Sequence, residues 1–227
     1  MTMAHRDASL VRLLQLVSPT LPTGSFSYSQ GLEWAVEAGW VKDVGGLREW
    51  LRDCLYRSMA RVDIPVMQLM YWACEDSDWE ALDQHCDLLL ACRESKELRG
   101  EEGHRGRAMA TLLSGLGLVP DESLRQILVR SQLAGFAFAA SIWDIDFDSA
   151  AAGYVWAWLE NQVIAGVKII PLGQTAGQQL LLELGESVPE AVLHGLAVHV
   201  DEIGASSTAL ALASCFHENQ YTRLYRS

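Results

Sequence analysis

Residues 150–170 read AAAGYVWAWLENQVIAGVKII. The stretch is alanine-rich and apolar on most faces, which places it as a central core helix rather than a surface one. A second stretch of the same kind, LRQILVRSQLAGFAFAASI at 124–142, is likewise placed as a central core helix. Small residues such as Ala134, Gly135, Ala139 and Gly153 would let neighbouring helices approach closely.

Working outward, the periodicity is helical nearly everywhere. Leu10, Leu13, Leu14 and Val17 step at helical spacing, and Pro19 stops the first helix. Leu47, Trp50, Leu51, Cys54, Leu55 and Met59 form an apolar stripe, with Arg48, Glu49, Arg52, Asp53 and Arg57 opposite. Pro65 suits the first turn of a following helix. Ser77-x-x-Glu80 reads as a capping box before Leu82, Cys86 and Leu89. From 93 to 107 the sequence is strongly charged, as a solvated helix face or helical hairpin would be. Glycines at 100, 103 and 106 weaken the helix there. Pro171, Gly185 and Pro189 punctuate two more helices, and 206–220 forms the last. Residues 1–227 therefore read as one all-α domain, a bundle of about eight to ten helices.

Half of the 227 residues are hydrophobic and a fifth are charged, as in a folded protein. Against 29 acidic residues stand 17 Lys and Arg, a net charge of −12. That balance argues against nucleic acid or an anionic membrane as partner, because both demand a basic face. No N-terminal apolar run resembles a signal peptide, and no apolar stretch is long enough to span a bilayer. The five cysteines form no C-x-x-C pair and read as free thiols in a reducing cytosol, so a cytoplasmic location is expected.

Chemistry-bearing motifs are sparse. No G-x-x-x-x-G-K-[ST] or G-x-S-x-G pattern occurs. Glu101-x-x-His104 has the spacing of a di-iron motif but no second copy, so a solvated charged face is expected there. His194 and His199 are five apart and do not share a helix face, and His85 adjoins Cys86. No four-ligand set is recognisable, so neither a metal, a cofactor nor a catalytic residue is assigned.

Three stretches stay unexplained by this reading. SPTLPTGSFSYSQGLE at 18–33 holds two prolines, two glycines, four serines and two threonines, yet also Phe26, Tyr28 and Leu32. GVKIIPLGQ at 166–174 places Lys168 among apolar residues, either snorkelling or offered to a partner. HENQYTRLYRS at 217–227 carries two tyrosines and two arginines in its last seven positions. A frayed end and an interface hot spot both fit that composition.

Together, and in this order, these stretches resemble the urease accessory protein F family over essentially the whole chain. The resemblance implies an all-helical, non-catalytic homodimer. It also implies work with a second accessory protein (the D or H component) and a SIMIBI-class GTPase (the G component). That assembly delivers nickel to apo-urease in a GTP-dependent manner, and the F component bridges the other two. On this basis Tyr28, Gln30, Glu33, Lys168 and Arg223 are expected to bind the GTPase. His217, Tyr221, Leu224, Tyr225 and Arg226 are expected to bind the D/H component. Phe26 and Leu32 would hold the 18–33 segment in place, while Tyr28, Gln30 and Glu33 point outward. The tail at 221–227 is expected to be mobile until bound. Two readings of another class remain: a helical metal-dependent enzyme, and a helical scaffold unrelated to urease.

Overall fold

The computed structural model describes residues 3–204 and 207–227, with side chains described from Asp7 onward. The chain opens with α1 (Met3–Leu16), and α2 (Leu32–Glu37) follows the 18–33 segment. Next, α3 (Val44–Cys54), a π-helical stretch (Leu55–Asp63) and α4 (Ile64–Glu75) run head to tail. α5 (Trp79–Ala91), α6 (Lys96–Gly115), α7 (Glu122–Leu128) and α8 (Gln132–Ile142) come after them. α9 (Phe147–Ile169) is followed by α10 (Gln174–Gly185), α11 (Val188–Leu196) and α12 (Thr208–His217). The fold is all-α, and no strand forms among the described residues.

Aspartate and serine side chains start most of these helices. Asp43, Asp78, Ser95, Asp121, Ser131, Asp146 and Ser207 each accept a first-turn backbone N–H that would otherwise lack a partner. Asp78, and not Ser77, caps α5; Ser77 instead turns the chain with φ +55°. The expected single helix at 124–142 is two. The Ser131 hydroxyl takes the Leu133 and Ala134 amides, and Arg130 beside it is tied to Asp83 and Asp87 on α5. The last helix begins at Thr208 and stops at His217; Ser206, its expected start, lies outside the described residues.

α8 is the centre of the molecule. Every residue from Gln132 to Ser141 is buried, between α4 on one side and α6 on another. A Cβ at Gly135 would fall 2.6 Å from Met109 Cγ, so a small residue there sets the α6–α8 spacing. Pro65 sits in the first turn of α4, as expected, and has no N–H to offer the Arg61 carbonyl four residues back. The Gly204 N–H reaches that oxygen at 3.4 Å.

The charged stretch is where the sequence reading fails. α6 is one continuous helix, and its glycine at 106 has a packing reason: a Cβ there would lie 2.7 Å from the Val129 carbonyl oxygen. Glu101 and Glu102 are buried, not solvated, whereas His104 is exposed. Arg93 grips Asp63 with two nitrogens, at 2.6 and 3.1 Å, and Glu102 at 2.6 Å. Desolvation works against the Arg93 charge, but Asp63 and Glu102 overcome it and hold its pKa well above the usual value. The partners are 30 and 9 residues away in sequence, which is why no local pattern announced them.

Candidate functional site

The 18–33 segment turns through left-handed backbone at Gly24, Gln30 and Gly31, with φ of +73°, +53° and +80°. Gly31 is also a contact point, since a Cβ there would lie 2.8 Å from the Ser214 amide of α12. These turns reverse the expected orientations. Tyr28 and Glu33 are buried, at 4% and 6% exposure, while Phe26 is 65% exposed. Leu32 is fully buried, as anticipated. Gln30 faces inward, accepting from Trp158 Nε1 at 2.8 Å and donating to Glu101 Oε1 at 3.1 Å.

The C-terminal residues lie along this segment. Arg226 N–H donates to the Ser27 carbonyl at 2.8 Å, and the Ser29 N–H and hydroxyl both donate to the Ser227 carbonyl oxygen at 2.7 Å. Glu33 is the main fastening. Its Oε1 accepts the Leu224 N–H at 2.7 Å, and its Oε2 accepts the Tyr225 N–H at 2.9 Å. Bonds from amides to an ionised acceptor are among the stronger ones available. The fully buried His217 ring stands between two carboxylates, Nε2 3.2 Å from Glu33 and Nδ1 2.7 Å from Glu97. Arg223 pairs with Glu97 at 2.7 Å and donates to the Gln220 and Glu218 carbonyls. The tail expected to be mobile is seated here, with Tyr225 and Ser227 buried.

Glu101 is the floor of the seat. It receives Arg105 at 2.7 Å, Gln30, and the Ser227 hydroxyl at 3.2 Å. Burial pushes its carboxyl above the usual range, against the pull of Arg105. Its neighbour Glu102 is driven the other way: Arg93 outweighs desolvation and lowers it. Burial, with the Glu33 charge adding to it, raises the Tyr225 hydroxyl.

Lys168 is exposed in the last turn of α9 and arrives at the same place. A notch of about 340 Å³ is lined by Phe26, Ser27, Lys168, Leu224, Tyr225 and Arg226. All three unexplained stretches thus contribute to one face. Tyr221 is fully exposed and Leu224 is 74% exposed, while Arg223 and Arg226 also reach solvent. The chemistry such groups offer is recognition: apolar contact and donors held on an ordered backbone. Glu97, Glu101, Trp158 and Asn161, whose amide donates to the Tyr28 carbonyl at 3.2 Å, support the face and escaped the sequence reading. The two glutamates lay in the charged stretch taken as solvated.

Among the described residues, no group of three or more His, Cys, Asp and Glu is placed to hold a metal ion. No helix among the described residues is long and apolar enough to cross a membrane.

The UreF family model matches residues 41–185. The chain belongs to the UreF family. The urease accessory protein UreF of Pseudomonas entomophila (strain L48) is 48% identical over 223 residues, covering 98% of this chain and all of the relative. Its counterpart in Alcanivorax borkumensis is 45% identical, covering 97% and 99% of the two chains. That of Marinomonas sp. (strain MWYL1) is 42% identical over 97% and 95%. The matched UreF core includes α8, α9 and Lys168, while the 18–33 segment and the tail lie outside residues 41–185.

Proposed function

We propose that this chain is an adaptor in urease maturation. It joins a D/H accessory protein to a G-type GTPase and couples GTP hydrolysis to delivery of nickel, the cargo, into apo-urease. The observation that carries the reading is the convergence of the 18–33 segment, the end of α9 and the tail on one face. Full-length relatives named urease accessory protein support it. In this reading Lys168, Arg223 and the exposed Phe26 meet the GTPase. Tyr28, Gln30 and Glu33 act from beneath by holding the surface in shape. Leu224 and Arg226, which share the notch with Lys168, face the GTPase as well, and Tyr221 meets the D/H component, with His217 and Tyr225 anchoring the tail. The chain performs no chemistry itself and works in the cytoplasm as a homodimer whose helical interface buries at least about 1,000 Å².

The test is complementation. Cells carrying urease and its other accessory genes, but lacking this one, should make apo-urease with little activity, and restoring the chain should restore nickel and activity. Full activity without it would refute the adaptor reading. Sedimentation of the purified chain at tens of micromolar checks the dimer.

A further inference from the structure

The notch has an unusual charge. Lys168 and Arg226 both line it, and no acidic side chain does. Neither cation has an ion-pair partner among the described residues, although the chain carries 29 acidic residues. Lys168 sits in the last turn of α9, where the helix dipole favours a cation. Two like charges lining one concavity repel, and an anion bound in it would offset that repulsion. Around them stand Phe26 and Leu224, 65% and 74% exposed, which a free inorganic anion would leave wet.

The geometry points to a carboxylate-binding notch, filled by an Asp or Glu side chain that a partner protein presents between apolar neighbours. The Arg226 guanidinium suits a carboxylate's two oxygens, Lys168 supplies a second positive charge, and the two apolar groups cover the flanks. This rests on the reading of the face as a docking surface, and it names what that surface recognises. The Arg226 backbone is itself tied to Ser27, so the notch exists only while the tail is seated.

The test is binding of the purified full chain to the purified accessory GTPase and, separately, to the purified D/H protein, at low and high sodium chloride. The GTPase complex should be the one that binds more weakly at high salt, as charge pairing at an interface requires. Lys168→Glu and Arg226→Glu should each weaken that complex by about tenfold or more, as loss of a buried interfacial charge pair does, and should flatten its salt dependence. Phe26→Ala and Leu224→Ala should weaken it with the salt dependence intact. Circular dichroism should match wild type for all four. If only the apolar variants lose affinity, the docking surface stands and the carboxylate is wrong. If none of the four loses affinity for either protein, both readings fall. Displacement of the wild-type complex by millimolar sodium phosphate would assign the notch to a small anion and overturn the proposal. A dimer broken by Lys168→Glu would place a second copy there, with the same consequence.

Discussion

Two buried carboxylates hold this molecule together in different ways. Glu102 lies in the core, bonded to Arg93, which also grips Asp63; helices and a fixed turn hold all three. Glu33 lies at the edge, holding backbone amides of Leu224 and Tyr225 with the help of His217. Around Glu102 stand further buried polar groups, with Ser131 donating to its second oxygen, and the cluster borders a cavity lined also by Gln132, Phe136 and Tyr154. Around Glu33 the tail contributes one buried large side chain, Tyr225, while Tyr221 and Leu224 stay in water. The core cluster can open only if the fold does. The tail can leave its seat as a local event, because little apolar area holds it there.

Breaking the core side should have the larger effect. Arg93→Ala would leave the buried Asp63 and Glu102 without the cation that both now hold. Stability should fall by about 3–5 kcal/mol, read as the urea midpoint of the whole chain. A loss below about 1 kcal/mol would mean that water reaches the cluster.

Breaking the edge should be milder and local. Glu33→Ala removes the acceptor of two amides, but these amides regain water once the tail lifts. A loss of about 1–2 kcal/mol is expected, with hydrogen-exchange protection disappearing at Leu224 and Tyr225 and persisting in α8. Loss of protection throughout α8 would show that seat and core are one cooperative unit. Deleting 221–227 should cost about 1 kcal/mol, because the ordering entropy of seven residues offsets most of what their bonds contribute.

The smallest effect is on pH dependence. The Glu102 carboxyl is lowered, so its contribution is complete above the ordinary value of 4.5 and is lost as pH falls through its folded value. Glu101 is raised, so its contribution is complete below 4.5 and is lost as pH rises through its folded value. From these two groups, stability should rise slightly from neutral pH towards 4.5 and fall below it. Glu101→Gln should remove the rise and keep the fall. Urea midpoints across pH check both.

The same contrast explains what could be read from sequence. The α8 and α9 core was legible because burial on all faces leaves a local mark, the alanine-rich apolar run. Ser131 was not read as a break, since a cap is visible only when its hydroxyl is seen turned back on the next turn. The 93–107 stretch misled because charge looks the same whether solvated or paired, and Asp63 is far away in the chain. At the face, the three contributing stretches were picked out as anomalies. Their orientation was not legible: positive φ at Gln30 and Gly31 sends Tyr28 and Glu33 inward and leaves Phe26 outside.

The most direct test is the nickel content of urease made in cells carrying the full accessory set, with Phe26→Ala and Leu224→Ala together in this chain. Both side chains are largely exposed, so the fold does not need them. The account predicts a chain of normal abundance and helicity, and urease lacking most of its nickel and activity. Urease as fully loaded as with the unaltered chain would contradict it.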